Sequence, residues 1–227
     1  MSRVVDQAIV LRRTNYGEAD RVVSFITNNN GKVSVLARGV RKPKSKLAAG
    51  IEPFCVNEIC FMPGRGELST ITSAKIVKHH TNFLTDISRL ELAQQILKTI
   101  DKKVADNSSS DFFDFLKTAL EQVNSSQNIG LVEVWCLVKF ADLSGIGLNL
   151  AEQVDTQAYE ENAKYLFDIE SGGFFIHPEG VYDPAHIKYL RLARVNLPSK
   201  LARIEGVDNL TADLLPALRS FSKIHLS

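Results

Sequence analysis

Arg21-Val22-Val23-Ser24-Phe25-Ile26-Thr27-Asn28-Asn29-Asn30-Gly31-Lys32-Val33-Ser34-Val35-Leu36-Ala37 reads as two β-branched runs about one turn. Asn and Gly tolerate left-handed backbone, so residues 28–31 favour a tight hairpin, and Lys32 to Ala37 pairs antiparallel with Arg21 to Thr27. Outward from this hairpin the pattern repeats. Val4 to Arg13 is a strand ended by Asn15-Tyr16-Gly17, and Phe54 to Met62 pairs with Leu68 to Val77 around Pro63-Gly64-Arg65-Gly66. Five short strands separated by turn signals predict an all-β barrel with one long connection, between Ala37 and Phe54. Ile9, Val10 and Leu11 are apolar in succession, as are Val22 and Val23, so these strands are expected to be covered on both faces, by the barrel interior and by a neighbouring domain.

From residue 81 the period changes to that of a helix. Ser88 with Glu91 forms a capping box, and Ile87, Leu90, Ala93, Leu97, Ile100 and Val104 mark one stripe. After a polar break at Asp106 to Ser110, Phe112, Leu116, Ala119, Leu120 and Val123 mark a second helix. Leu131 to Ser144 is apolar nearly all round, a helix buried in a bundle and capped by Gly145. Tyr165 to Ile169 and Phe174 to Ile176 form a small hairpin about Ser171-Gly172-Gly173. Asp183-Pro184 starts another helix, Pro198 breaks the segment after it, and Leu210, Leu214, Leu218 and Phe221 line a last helix that Pro216 either kinks or delays.

The chain has 227 residues, 44% of them hydrophobic, which is enough to build a core without staples. Its three cysteines, Cys55, Cys60 and Cys136, cannot make a disulfide framework and suit a reducing compartment, so a cytoplasmic protein is expected. No signal peptide is read at the start. Glu133, Lys139 and Asp142 interrupt the most apolar stretch, which argues against a membrane protein. The net charge of +1 conceals a segregation: residues 1–80 hold 13 basic and 6 acidic side chains, net +7, and the remainder 14 and 20, net −6. Such asymmetry joins a module with a polyanionic partner to a module with another task.

A catalytic constellation is absent from the sequence. Gly31-Lys32 has Ile26 where a phosphate-binding loop needs its upstream glycine, Gly145-Ile146-Gly147 follows a helix instead of a strand, and no Gly-x-Ser-x-Gly exists. The cysteines have neither a neighbouring histidine nor a Cys-x-x-Cys spacing, and the histidines His79, His80, His177, His186 and His225 read as surface or capping residues. The informative stretch is Lys32 to Lys46, which carries Lys32, Arg38, Arg41, Lys42, Lys44 and Lys46 and no acid. A loop of this kind can follow a phosphate backbone with sequence-tolerant, salt-dependent affinity; it can also be a solvated loop serving solubility, and it lacks aromatic residues for stacking bases.

Tyr16-Gly17-Glu18-Ala19-Asp20-Arg21, Gly31-Lys32-Val33-Ser34, Ala37-Arg38-Gly39-Val40-Arg41-Lys42-Pro43-Lys44-Ser45 and Glu52-Pro53-Phe54 resemble, in order and spacing, the amino-terminal barrel of the bacterial recombination mediator family RecO. The resemblance runs through residue 80; beyond it the helical character, Phe140 to Gly147 and the Gly172-Gly173 hairpin are similar to the family. It implies an α+β, two-domain protein: an OB-fold barrel over residues 1–80 and a mostly helical domain over 81–227. It implies binding of single- and double-stranded DNA, annealing of complementary strands and, with the partner RecR, help for RecA in replacing single-strand-binding protein at gaps in the RecF pathway. No bond is made or broken, so no enzyme and no cofactor is expected, and localisation would be cytoplasmic, with the nucleoid.

Carried onto this chain, the family's DNA-binding loop falls on Arg38, Arg41, Lys42, Lys44 and Lys46, with Lys32, Arg13 and Arg21 flanking. Many members also hold zinc with four cysteines in the segment corresponding to residues 148–182. This chain has no cysteine after Cys136, so Tyr165, Phe167, Phe174 and Phe175 are expected to hold a zinc-less hairpin. The acidic helical half is the candidate for docking the tail of single-strand-binding protein. An RNA-binding OB protein and a non-enzymatic adaptor for an acidic protein are the alternative readings.

Overall fold

The computed structural model describes residues 3–64, 66, 68–105, 109–151, 153–154 and 159–226; Arg65, in the turn read between the fourth and fifth strands, and residues 106–108 of the polar break lie outside these. Two compact units are present, residues 1–124 and 125–227. In the first, β1 (Val4–Tyr16), β2 (Asp20–Thr27), β3 (Gly31–Ala37), β4 (Cys55–Met62) and β5 (Leu68–His79) close into a barrel in the order β1-β2-β3-β5-β4. All neighbours are antiparallel except β3 and β5, which run parallel over Ser34–Leu36 and Leu68–Thr70. This is the five-stranded closure of an OB-type barrel. β1 and β5 extend beyond the stretches read from sequence because their polar ends keep pairing, Tyr16 with Asp20 and His79 with Cys55.

The barrel interior is filled by Ala8, Val10, Val23, Phe25, Val35, Ala37, Ile59, Phe61 and Ile71. Alternation sends Ile9 and Ile26 outward, yet both are fully buried. The outer cover of β1 is helix α1 (Ile87–Lys103), which belongs to the same compact unit as the barrel. Asp101 fastens α1 there: its carboxylate meets Arg12 Nε at 2.8 Å, Lys32 Nζ at 3.2 Å and the Ser24 hydroxyl at 3.1 Å, one donor from each of β1, β2 and β3. The α1 cap differs from the sequence reading. Asp86, not Ser88, accepts from the N–H groups of Ser88 and Arg89, and the buried stripe is Leu92, Ala93, Ile96, Leu97 and Ile100, leaving Ile87 exposed. α2 (Asp111–Ser125) buries Phe113 and Phe115 together with the expected Leu116, Ala119, Leu120 and Val123.

The hairpin asparagines do something other than the sequence reading assigned. Of residues 28–31, only Gly31 has a positive φ, 63°. Asn29 and Asn30 instead grip the buried carboxylate of Asp6 on β1, which accepts from Asn29 N (3.0 Å), Asn29 Nδ2 (2.9 Å), Asn30 Nδ2 (2.6 Å) and Gln7 N (2.8 Å). A carboxylate this well supplied with donors tolerates burial; without it the amides are left unpaired.

In the second unit, α3 (Ile129–Leu143) packs against α4 (Pro184–Val195) and α6 (Val207–His225), with α5 (Pro198–Leu201) beside them. The charges within apolar α3 are each answered: Glu133 takes two hydrogen bonds from Arg219 at 2.6 and 2.7 Å, Asp142 takes three from Arg194, and Lys139 Nζ donates to Arg194 O. Gly145, at φ +75°, ends α3 with Ile146 N bonded to Ala141 O and Gly145 N to Asp142 O, the paired pattern of a left-handed C-cap. Pro216 lies inside α6, which starts at Val207 and runs past it. Strands β6 (Tyr165–Asp168) and β7 (Gly173–Ile176) form the small hairpin. Phe167 meets Phe174 and Phe221 edge-on at 5.0 and 6.2 Å, Phe174 meets Tyr182 at 5.5 Å, and Tyr165 is fully buried; the ring of Phe175 meets that of His177. Among the described residues, no helix is long and apolar enough to cross a membrane.

Two tests follow from these contacts. Asp6→Ala should lower unfolding stability by about 2 kcal/mol in urea titration with an unchanged m-value, since four donors lose their acceptor. His80, read from sequence as a surface or capping residue, is buried against Phe83, and no partner for its Nε2 lies among the described residues. Burial, and then the nearby Lys78, hold its pKa below the usual 6.5. The unfolded chain therefore binds the proton more readily than the folded one. Stability should be full above pH 6.5 and decline as pH falls below it, and His80→Phe should flatten that decline when denaturation midpoints are compared at pH 7.5 and 5.5.

Candidate nucleic-acid interface

The β3–β4 connection, residues 38–54, is a loop pinned at intervals. Val40 is buried in the barrel core, Leu47 and Ala48 pack against that core, and Ile51, at the end of a short 3₁₀ turn (Ala49–Ile51), is fully buried. Gly50 passes so close to β5 that a Cβ there would lie 2.5 Å from the Ala74 backbone, so no larger residue fits without displacing the strand. Between these anchors the chain makes two turns, Lys42 N to Gly39 O and Ser45 N to Lys42 O. The Ser45 hydroxyl accepts from Leu47 N. Polar side chains separate the apolar anchors, so the backbone is held while the intervening side chains face water.

The start of the loop is tied to the β1–β2 turn. Asp20 Oδ1 accepts from Gly39 N at 2.7 Å, Arg41 N donates to Ala19 O at 2.9 Å, and the Arg41 guanidinium donates to Gly17 O at 3.3 Å. Gly39 has φ +62°, a conformation a side chain would strain. Sequence reasoning placed the cations on one loop and did not foresee this tether; the acid at position 20 beside a basic loop was its only signal.

The structure sorts the eight candidate cations into two groups. Arg38, Arg41, Lys42, Lys44 and Lys46 are all exposed, and none of them meets an acid among the described residues. Lys32 is different: its side chain is 17% exposed and bound to the carboxylate and main-chain carbonyl of Asp101 on α1. Arg13 holds Glu52 at 2.7 Å. Arg21 is half-buried and donates to Asn15 Oδ1 at 3.1 Å. The five loop cations thus share the lack of an acid partner among the described residues, Arg41 being held only by the Gly17 carbonyl, and the three flanking residues are engaged within the fold.

Burial, reinforced by Glu52, pushes the Cys55 thiol up to about 11, and burial likewise raises that of Cys136, so neither is a thiolate near neutral pH. Among the described residues, no group of three or more His, Cys, Asp or Glu side chains could hold a metal ion.

A closed OB-type barrel whose long β3–β4 loop carries five cations with no acid partner among the described residues, continued by a helical region, defines a two-part protein. Comparison with known proteins gives the family. Residues 1–80 match the family model for the recombination protein O N terminal region, and residues 84–227 match that for its C terminal region. The chain belongs to the RecO family. It is 32% identical over 193 residues to the DNA repair protein RecO of Shouchella clausii, spanning 83% of this chain and 75% of that one. With the RecO of Bacillus subtilis it shares 24% identity over 206 residues, 88% of this chain and 80% of the relative. With that of Heliobacterium modesticaldum it shares 38% over 112 residues, where the match spans 49% of this chain and 41% of the relative's length.

The two groups of cations should separate in stability measurements. Lys32→Met is expected to cost about 1–2 kcal/mol, because Asp101 loses the less exposed of its two cationic partners, while Lys42→Met and Lys44→Met should stay within about 0.5 kcal/mol of the parent in urea denaturation.

Proposed function

We propose that this protein is a non-enzymatic DNA-repair mediator whose loop of Arg38, Arg41, Lys42, Lys44 and Lys46 grips the phosphate backbone of DNA. The observation that carries the reading is that these five cations are mounted on a pinned backbone and left without internal acids among the described residues. An unpaired cation in water is free to exchange its counterion atmosphere for phosphate, and the entropy of the ions released drives binding that does not depend on sequence. A loop fixed at Val40 and Leu47 loses little conformational entropy when DNA arrives.

Family membership supports the wider role. Relatives bear the name DNA repair protein, and a repair mediator works by bringing strands together, not by changing bonds. Neutralising phosphates on two strands lowers their mutual repulsion and permits pairing, which accounts for annealing without a catalytic centre. In this reading residues 1–80 hold DNA. Residues 81–227 offer surfaces for RecR and for the tail of single-strand-binding protein, which places RecA loading downstream of both, at the nucleoid.

Arg38→Ala combined with Arg41→Ala tests the reading. A titration of fluorescent single-stranded oligonucleotide across 50–300 mM salt should give a plot of log K against log salt that is shallower by about 1.4 than for the parent, as two phosphate contacts are lost. Strand annealing should slow in parallel. Unchanged affinity, slope and annealing in the double variant would show that the loop does not hold DNA.

A further inference from the structure

We infer that Tyr16 is a base-stacking residue that gives the cationic loop a preference for unpaired strands; the inference rests on the DNA-binding reading above and names the strand chemistry that the site selects. The loop carries no aromatic residue of its own between Arg38 and Lys46. The fold supplies one from another strand. Tyr16 ends β1 directly opposite Asp20 on β2, and directly opposed residues of an antiparallel pair project from the same face. Asp20 uses that face to hold Gly39 N, the second residue of the loop. The neighbouring pair, Asn15 and Arg21, projects from the other face, where the two side chains bond each other. The residue after Tyr16, Gly17, accepts from the Arg41 guanidinium through its carbonyl. Tyr16 therefore stands beside Gly39 and Arg41, on the side of the ribbon that the loop occupies.

Its exposure is unlike that of any other aromatic described. Tyr16 is 58% exposed, with no side-chain hydrogen bond and no ring contact among the described residues, and it is the only aromatic among the exposed large apolar side chains there. The other tyrosines are all engaged: Tyr165 with Tyr159, Tyr182 with Phe174, and Tyr189 with Thr211. An aromatic ring left in water forgoes most of the burial that would stabilise it, and here the barrel makes no use of it. A ring next to a cationic track has a natural occupant in the face of a nucleobase, which every unpaired base presents and which a duplex hides in its stack. Stacking is tolerant of sequence, as phosphate binding is, so both act on the same strand without selecting bases. The loop cations attract single and double strands alike; the tyrosine adds attraction for the single strand alone.

The test compares the parent, Tyr16→Ala, Tyr16→Phe and the Arg38→Ala, Arg41→Ala double variant on two probes, a 30-nucleotide oligo(dT) and a 30-base-pair duplex. Tyr16→Ala should weaken oligo(dT) binding roughly 5- to 150-fold, leave duplex binding within about twofold of the parent, and keep the salt slope, because no charge is lost. Tyr16→Phe should restore oligo(dT) binding, since the ring and not the hydroxyl does the stacking. Tyr16→Trp should show fluorescence quenched by oligo(dT) and not by the duplex, against the steady background of the buried Trp135. Equal loss on both probes, no loss on either, or a Phe variant as weak as Ala would each overturn the stacking role. The double variant separates the two ideas: if it binds and responds to salt as the parent does, the loop reading fails, whereas a failure confined to the Tyr16 variants leaves that reading standing.

Discussion

Strand β1 has to pair with two neighbours at once, and the barrel exists because it can. Its first half, Val4 to Ile9, pairs with β4, and its second half, from Ala8 to Tyr16, pairs with β2. A flat strand of 13 residues could not follow both partners round a closed wall. The ladder with β2 slips between Val10 and Arg12, so that Leu11 is an extra residue, and a bulge of this kind bends a strand and tightens its twist. Two consequences reach the functional surface. The bend lets Ala8 and Val10 enter the core while Arg12 turns out to meet Asp101 of α1. Beyond it, β1 projects as a ribbon with β2 whose tip, Tyr16 to Ala19, stands next to the start of the cationic loop.

Carboxylates make the fixed points of the amino-terminal unit: several donors converge on Asp6 and on Asp101, and Asp20 accepts one backbone N–H. Asp6 holds the β2–β3 hairpin, Asp20 holds the loop, and Asp101 holds α1 against three strands. Residues 1–80 contain only 6 acids, and Asp6 and Asp20 are two of them, which leaves four others to neutralise the cations there. Glu52 goes to Arg13 and Glu58 lies opposite Lys75 in the β4–β5 ladder. The excess positive charge is thus distributed by what the acids are already doing. Fold-stabilising pairs consume Arg12, Arg13 and Lys32, and the net charge that survives is concentrated on one short stretch of chain.

Much of this architecture was legible in the residues because turn chemistry and period-2 alternation are local. The five strands, the β6–β7 hairpin and the helices α2 to α4 follow from short-range patterns, and the RecO motifs located the cationic loop within them. What stayed hidden depends on contacts far apart in sequence. The asparagines at 28–30 suggest backbone tolerance until Asp6, more than twenty residues away, is seen to receive Asn29 and Asn30. Lys32 counts as a loop cation until Asp101 is placed beside it. The α1 stripe holds at Ala93, Leu97, Ile100 and Val104 and fails at its start, where Ile87 and Leu90 fit a helical period without being buried; tertiary packing, not periodicity, adds Leu92 and Ile96. His80 looked like surface because its partners, Phe83 and the β5 terminus, give no signal of burial.

The same distinction explains why the loop is a better ligand surface than its composition alone suggests. Free cations on a floppy chain would each lose rotamer and backbone freedom on meeting a phosphate, and exposed charges more than about 10 Å apart are screened from one another at ordinary salt. Anchors at Val40, Leu47 and Ile51 keep the intervening cations within a short arc, so that the field they make adds up over the few nucleotides that span it. On the proposed reading, a sliding polyanion would meet a constant potential, with no single contact worth enough to trap it. For the proposed task of bringing two strands into register, weak and summed attraction is more useful than a few strong bonds, and among the described residues no acid meets a cation of the loop.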